Sequence, residues 1–247
     1  ATRKQVQEAS RPARIASYAW LFNSGKTAQD SRIKILLEQD AFAALHARWQ
    51  RHGYPFERLV PSLATAIGSS ADRPGALAEL MGIIMNDGMR LPMVRANYIN
   101  FAMGTPFQTM MARKPAQGTA VMHPMVAKTL RTALRDVVAN GTAKRLDGAF
   151  TAPDGSPLVI GGKTGTGDHR FDEFGKGGAL IASRVVNRTA TLVFYVGDRF
   201  FGSITAFVAG EQAANYRFTS ALPSQMLRAL APSLAPLINE QKISHNE

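Results

Sequence analysis

The chain has 247 residues, of which 45% are hydrophobic and 19% are charged, with a formal net charge of +11 and no cysteine. This composition is typical of a folded globular protein, and the absence of cysteine excludes disulfides and thiolate metal sites. The sequence contains no apolar run of about 18 residues, and its first residues are too polar for a signal peptide. We therefore expect any signal or membrane anchor to lie outside this chain.

Residues 1–156 are expected to be mainly helical. Apolar residues recur at helical spacing in three segments, and glycine or proline stands near the ends of each. In the second segment, Leu77, Leu80, Met81, Ile84 and Met85 fall on one face. The segments are residues 44–53, which end at Gly53, residues 75–88, and residues 123–141, with Pro124 in the first turn and Gly141 after the end.

The periodicity changes in residues 157–247. Four short β-rich runs predict antiparallel strands at residues 157–167, 177–186, 190–198 and 202–210, with a tight hairpin turn at 186–189. Residues 220–238 predict a closing helix that is interrupted or ended near Pro232. Helices followed by consecutive strands and a helix predict an α+β fold, in which an antiparallel sheet is flanked by helices and joined to a mainly helical part.

The sharpest local pattern is a glycine-rich stretch that contains one lysine and two threonines: Gly161, Gly162, Lys163, Thr164, Gly165, Thr166 and Gly167. Glycine lets another backbone approach a strand closely, so the lysine is expected to border a cleft. Threonine hydroxyls there are suited to binding a carboxylate, and exposed amides to stabilising an oxyanion. The alternative is a glycine-rich strand end with an ordinary surface lysine.

Lys-Thr-Gly is also the third signature of serine acyl-transfer enzymes such as the penicillin-binding proteins. Three further stretches precede it in the order found in class A penicillin-binding proteins, and the resemblance covers most of residues 28–200. They are residues 51–55 with 61–68, residues 69–88, and residues 137–143. The chain thus resembles the C-terminal part of a transpeptidase domain of this family.

The resemblance implies a cell-wall D,D-transpeptidase on the periplasmic side of a bacterial cell envelope. Its partners would be peptidoglycan stem peptides and β-lactam antibiotics, with an upstream glycosyltransferase domain as a further possibility and no cofactor. In this scheme Lys163 lines the cleft, Thr164 and Thr166 hold the substrate carboxylate, and Gly165 and Gly167 belong to the same stretch. The amide of Thr166 contributes to the oxyanion hole.

The first two motifs of the family depart from the expected pattern. Where the family has Ser-x-Asn, this chain offers Thr27 with Gln29, or Ser24 if the register slips. Ser31 and Lys34 match Ser-x-x-Lys, but they stand where the second motif belongs. We therefore expect the nucleophilic serine and the first two strands of the sheet to lie upstream of this chain, which alone would be inactive.

Two other functions fit parts of the sequence. One is a degenerate transpeptidase that binds wall peptides or a partner without catalysis, which the unclear second motif favours. The other is a basic nucleic-acid-binding protein, which rests on the net charge of +11 alone. Because the basic residues are spread along the chain, we expect no nucleic-acid partner.

Overall fold

A computed structural model of the chain describes residues 2–67, 70, 72–114, 117–175 and 180–239. Short 3-10 helices lie at Leu63–Ile67, Lys144–Leu146 and Glu211–Asn215. The α-helices are α1 (Arg3–Ala9), α2 (Arg11–Asn23), α3 (Lys26–Arg51), α4 (Pro74–Met85), α5 (Pro124–Ala139) and α6 (Ala221–Asn239). The strands are β1 (Met89–Arg90), β2 (Tyr98–Phe101), β3 (Thr109–Ala112), β4 (Thr119–Ala120), β5 (Ile160–Phe174), β6 (Leu180–Val196) and β7 (Phe200–Ala209).

Helix α3 is long, and it leaves all of its residues at least partly accessible to solvent. It ends at Arg51, and Gly53 follows with a φ of 79°, so the predicted helix stop is confirmed. None of its residues is buried, and apolar side chains such as Ile33 and Leu37 are exposed along it. Packing against the described part of the chain therefore contributes little to the stability of this helix.

Helices α4 and α5 are the two that the sequence predicted most fully, and both are confirmed. Helix α4 buries Met81, Ile84 and Met85 of the predicted face. Gly82 allows it to approach the sheet, because a Cβ at this position would lie 2.8 Å from the ring of Phe201 on β7. Helix α5 has Pro124 in its first turn, as predicted.

Residues 86–123, expected to be helix and loop, instead contain four short strands. Strand β1 pairs antiparallel with β4, and β2 pairs antiparallel with β3 to form a hairpin over residues 98–112. All eight residues of β2 and β3 except Asn100 are exposed. Because neither face is buried, these strands lack the alternation of polar and apolar residues by which a strand is recognised in a sequence.

The main sheet is antiparallel, in the order β5-β6-β7. The hairpin turn predicted at residues 186–189 is wrong, since these residues lie inside β6, with Thr189 opposite Gly167 and Arg188 opposite Asp168. The Arg188 guanidinium pairs with the Asp168 carboxylate at 2.7 Å and also donates to the Phe218 carbonyl. Polar residues that resembled a turn therefore stabilise a longer strand by cross-strand pairing. The predicted fourth run is confirmed as β7.

Helix α6 closes the fold on the back of the sheet. The predicted break near Pro232 is wrong, because the helix continues through Pro232 and Pro236. Its buried residues Leu227, Ala231 and Ile238 pack in one cluster with Leu192, Phe194 and Val196 of β6. Burial on both sides of the prolines offsets the hydrogen bonds that proline removes.

The two faces of the sheet carry different clusters. The back face holds the α6 cluster, which also includes Ile160, Leu146 and Phe150. The front face holds Tyr195 with Met81 and Met85 of α4. This layering of helices on both faces of an antiparallel sheet confirms the predicted α+β class. Within the described residues, no helix is both long and apolar enough to cross a membrane.

The outer edge of β7 is a candidate for association. Strand β7 pairs with β6, and among the described residues no strand pairs with its other side. Lys163 lies on β5 at the opposite edge of the sheet. This is the edge that the expected upstream strands would cover, and an uncovered edge invites pairing with another chain.

We therefore expect residues 1–247 alone to self-associate through β7, or to need the upstream segment for solubility. Size-exclusion chromatography with light scattering measures this. Phe207→Lys places a charge on an exposed position of β7 and should shift the chain towards monomer. Phe22→Lys alters the exposed surface of α2 and should leave the mass unchanged. A soluble, monomeric wild-type chain would contradict the expectation.

Candidate active site

Lys163 lies on the front face of β5. It stands opposite Val193 in the β5–β6 ladder, and Val193 packs in the front cluster with Tyr195 and Met81. The Lys163 side chain is exposed, and its Nζ donates a hydrogen bond to the Thr164 carbonyl at 2.6 Å. This is the one polar contact of the ammonium among the described residues, so two of its three donors remain open to a ligand.

Thr164 points to the back face. Successive residues of a strand alternate between faces, so Thr164 shares its side with Leu192 and Ile160 rather than with Lys163. Its side chain is only 7% exposed, and its hydroxyl lies 2.6 Å from the hydroxyl of Thr142. The Thr164 hydroxyl, which was expected to bind the substrate carboxylate, instead links β5 to the segment after α5.

Thr166 also lies on the side of Thr164, but it is exposed. Its Oγ1 accepts a hydrogen bond from the backbone N–H of Ser220 at 2.8 Å, just before α6 begins. This bond orients the side chain and leaves the hydroxyl hydrogen without a described acceptor. Thr166 is thus held in place while retaining one donor.

The glycines of this stretch form two groups with opposite surroundings. A Cβ at Gly161 would lie 2.3 Å from the Tyr195 ring, and one at Gly162 would lie 2.5 Å from the Val193 carbonyl oxygen. At Gly165 and Gly167 nothing lies within 4 Å of a Cβ. The first pair therefore serves close packing, while the second leaves open space and accessible backbone beside Lys163.

Tyr195 fixes the front of the site. Its ring is buried, and its hydroxyl donates to the Arg131 carbonyl of α5 at 3.0 Å. Burial raises the pKa of the Tyr195 hydroxyl, against the opposing effect of the Arg135 and Arg131 guanidinium groups. The tyrosine is therefore a neutral hydrogen-bond donor at ordinary pH and fixes α5 relative to the sheet.

The candidates for the first two motifs lie at the other end of the described chain, in and before α3. Gln29 donates to the Ser24 carbonyl at 2.7 Å, and Thr27 is exposed. Ser31 and Lys34 are exposed one turn apart on α3. The structure describes no hydrogen bond from any of the five to Lys163, so it does not bring them together with the glycine-rich stretch.

An open groove of about 530 Å³ lies between α3 and the 3-10 helix at Leu63–Ile67. Asp30, Lys34 and Glu38 line it together with apolar residues, and no residue of β5 borders it. We place the candidate site at Lys163 rather than in this groove, because the groove has no lysine beside glycines that leave the backbone accessible. In the described residues no group of three or more acidic or histidine side chains is arranged to hold a metal.

Sequence reasoning missed three residues that shape the site. Thr142 holds Thr164, the Ser220 amide holds Thr166, and Tyr195 packs over Gly161. Thr142 belongs to the stretch 137–143, which carried part of the family resemblance. The position of this stretch before the glycine-rich stretch could therefore have pointed to Thr142. Ser220 lies 54 residues after Thr166, and no local pattern connects the two.

Comparison with known proteins gives matches among solved structures, while no protein-family model and no curated protein sequence matches the chain. Penicillin-binding protein 3 of Mycobacterium tuberculosis, complexed with aztreonam, matches with a TM-score of 0.50 and 16% identity, over 78% of this chain and 46% of that chain. Penicillin-binding protein A of the same organism matches with a TM-score of 0.45 and 19% identity, over 70% of this chain and 34% of that chain.

The TP domain of penicillin-binding protein 3 from Burkholderia pseudomallei matches with a TM-score of 0.38 and 21% identity, over 70% of this chain and 43% of that chain. The chain thus spans less than half the length of each of these structures. The first likeness shows that the chain has the fold of a penicillin-binding protein, which confirms the resemblance seen in the sequence at the level of the fold.

The two glycine environments predict opposite outcomes for the same substitution. Gly161→Ala places a methyl group against the buried Tyr195 ring and should lower the free energy of unfolding by about 1–3 kcal/mol. Gly165→Ala, its matched control, meets open space and should leave stability within about 1 kcal/mol of wild type. Thermal or urea unfolding measures both. Equal losses of stability would show that the space at Gly165 is not open.

Proposed function

We propose that this chain forms the carboxylate-binding and oxyanion-binding side of a D,D-transpeptidase site that acts on peptidoglycan stem peptides. One observation carries the proposal. In a chain with the fold of a penicillin-binding protein, Lys163 stands exposed on the front of β5 beside the empty space at Gly165. A free ammonium next to accessible backbone amides is the arrangement that an anionic, acyl-transfer substrate requires.

The reaction splits into two acyl transfers. A serine Oγ attacks the carbonyl carbon of the penultimate D-alanine, and its proton passes to a base. The base then gives this proton to the leaving nitrogen as the C–N bond breaks, which releases the terminal D-alanine as an amine. An amine of a neighbouring strand then attacks the ester and regenerates the serine. We assign the nucleophile to a segment outside residues 1–247. No metal or organic cofactor takes part in this scheme.

Lys163, Thr164 and Thr166 have different roles in the proposed binding of the substrate. Lys163 supplies positive charge towards the terminal carboxylate and towards a hydroxyl of the second motif. Thr166 donates its remaining hydroxyl hydrogen, and its orientation by the Ser220 amide supports this role. Thr164 acts indirectly, because its hydroxyl is buried against Thr142 and holds the strand in register with the loop after α5.

The backbone of β5 supports binding of an extended peptide. Strand β5 pairs with β6 on one side, and no described strand pairs with it on the other. An extended peptide can add to such an edge through main-chain hydrogen bonds. The open space at Gly165 and Gly167 lets the substrate backbone approach, and the Thr166 amide between them is our candidate oxyanion donor.

β-Lactam antibiotics and a cell-envelope location follow from the same proposal. A β-lactam presents a negatively charged group close to a reactive carbonyl, as the stem peptide does, and the matched penicillin-binding protein 3 is complexed with aztreonam. The site would then operate on the periplasmic side of the envelope, where its substrate is found. An upstream glycosyltransferase domain remains part of the proposal for the whole protein.

A second function, a degenerate module that binds wall peptides without catalysis, is favoured by one observation. Among the described residues the Lys163 ammonium contacts the Thr164 carbonyl and no serine or threonine hydroxyl. A module of this kind would retain stem-peptide binding and form no acyl-enzyme.

Substitution of Lys163 tests the site in a polypeptide that joins these residues to the proposed nucleophile segment. Lys163→Ala removes a charge-assisted contact and should cost about 1.5–3 kcal/mol, which lowers the acylation rate by roughly one to two decades. Stopped-flow or gel-based acylation by a fluorescent penicillin measures the rate. Lys163→Arg should retain part of it, and Lys144→Ala, which removes another exposed lysine, should leave it unchanged. An unchanged rate in Lys163→Ala would refute the assignment of this site.

The chain of 247 residues by itself should show no covalent labelling by the same penicillin, because Ser31 lies exposed on a helix that buries none of its residues. Intact-mass spectrometry detects a single adduct. An adduct that maps to Ser31 and disappears in Ser31→Ala would identify Ser31 as the nucleophile. Failure of the whole polypeptide to form an adduct, with retained binding of stem peptides, would support the degenerate module instead.

A further inference from the structure

The β2–β3 hairpin exposes large apolar side chains on both of its faces. Tyr98 and Met110 lie on one face, and Ile99, Phe101 and Met111 lie on the other, since residues opposite each other in the ladder share a face. At the tip, Met103 is 76% exposed and Phe107 is 82% exposed. Exposed apolar surface that is contiguous in this way marks a contact with a partner or a membrane.

The charged residues in and around the β2–β3 hairpin are all basic. Residues 88–135 contain no aspartate or glutamate. Arg95 precedes the hairpin, and Arg113 and Lys114 follow it, so the basic residues stand at its base and the apolar residues at its tip. None of these three forms an ion pair with a described residue. They are therefore available to an anionic partner.

The tip also pairs several of its own polar groups internally. The Thr105 hydroxyl donates to the Ala102 carbonyl at 2.7 Å and accepts from the Phe107 amide at 3.3 Å. The Gly104 amide donates to the Gln108 side chain at 3.1 Å. A turn whose polar groups are paired internally loses little when water is removed from around it.

We propose that the β2–β3 hairpin is a peripheral membrane contact, in which Met103 and Phe107 enter the interface of an anionic bilayer and Arg95, Arg113 and Lys114 bind lipid headgroups. A bilayer suits this surface better than a protein groove does, because it surrounds an inserted hairpin and contacts both faces at once. A protein groove would typically cover one face and leave the other in water.

The dimensions of the hairpin limit the depth of insertion. The four residues of β3 span about 14 Å, whereas the headgroup layer is about 5–8 Å thick on each side of the bilayer. The turn at residues 102–108 adds to this length, so an upright hairpin would hold Arg113 too far above the headgroups. The hairpin therefore lies tilted in the interface, which brings Arg113 within a Debye length of the headgroups, about 8 Å at physiological salt. Deeper entry is opposed because a two-stranded hairpin has unpaired outer edges.

This contact is distinct from a membrane anchor and does not rest on the transpeptidase proposal. It depends on the hairpin alone, since β2 and β3 pair with each other and lie outside the main sheet. Binding to lipid can therefore be measured without substrate, and loss of the hairpin contact can be separated from loss of acylation.

Flotation of the 247-residue chain with vesicles tests the proposal. Vesicles of phosphatidylglycerol and phosphatidylethanolamine should bind the chain, and vesicles of phosphatidylcholine alone should bind it weakly. Met103→Ser with Phe107→Ser should lower the partition coefficient at least about tenfold. Phe22→Ser is the matched control, because Phe22 is 80% exposed on α2 and lies outside the hairpin.

The basic residues are tested in the same assay. Arg113→Gln with Lys114→Gln should lower binding to the anionic vesicles about 30-fold and reduce its dependence on salt. Arg3→Gln with Lys4→Gln removes the same charge from α1 and should have a much smaller effect. Unfolding temperatures of all variants should match wild type, because every substituted residue is exposed.

A tryptophan at the tip reports insertion directly. The emission of Phe107→Trp should gain a component that is quenched by brominated lipids in anionic vesicles. Absence of quenching, or binding that depends on the basic residues but not on Met103 and Phe107, would overturn the insertion. If Met103→Ser with Phe107→Ser instead dissolves an oligomer in lipid-free light scattering, the hairpin is a contact between copies and the proposal is wrong.

Discussion

The packing of the Tyr195 ring over Gly161 is the contact on which the rest of the fold depends. A Cβ at Gly161 would lie 2.3 Å from this ring, so glycine is required where the ring lies. The same side chain packs with Met81 and Met85 of α4, and its hydroxyl reaches the Arg131 carbonyl of α5. One buried residue thus relates β5, β6, α4 and α5 to one another, and the position of Lys163 follows from that relation.

The candidate site combines a rigid back with an open front. On the back, the hydroxyls of Thr142 and Thr164 join the loop after α5 to β5, and the Ser220 amide joins Thr166 to the start of α6. On the front, the ammonium of Lys163 and the unfilled space at Gly165 face outwards. A site that must bind an anion without reorganising gains from this division, because the strand cannot shift when the ligand arrives.

The sequence predicted those elements in which local pattern and packing agree. Helices α4 and α5 have amphipathic faces and a proline in the first turn, and they lie where expected. The prediction of a turn at residues 186–189 was wrong because Arg188 pairs with Asp168 on the neighbouring strand. These two residues are 20 positions apart, so no local pattern shows the contact. The strands β2 and β3 were not predicted because they bury neither face. Helix α6 continues through Pro232 because its apolar face is buried against the sheet.

The sequence marked residues of the candidate site but not their arrangement. The glycine-rich stretch marked Lys163, Thr164 and Thr166, yet the alternation of a strand puts the lysine on the side opposite the two hydroxyls. A linear motif does not say which hydroxyl is already engaged, and the partners Thr142 and Ser220 are distant in sequence. The candidates for the second motif lie at the start of α3, where the Gln29 side chain donates to the Ser24 carbonyl. Nothing local distinguished Ser24, Thr27 and Gln29 from an ordinary helix start.

Strands β5 and β6 continue well past the end of β7, and this extension has a mechanical consequence. Strand β7 ends opposite Asn187, while the β5–β6 pair extends from His169 out to residues 174 and 180. A two-stranded ribbon without a third strand or a buried face twists more easily than the sheet from which it projects. Gly165 and Gly167 lie just inside the point where the third strand ends, since Gly167 is opposite Thr189 and Thr189 is opposite Phe207 of β7. Bending is therefore easier in the ribbon than in the three-stranded part of the sheet, which holds the backbone beside Lys163.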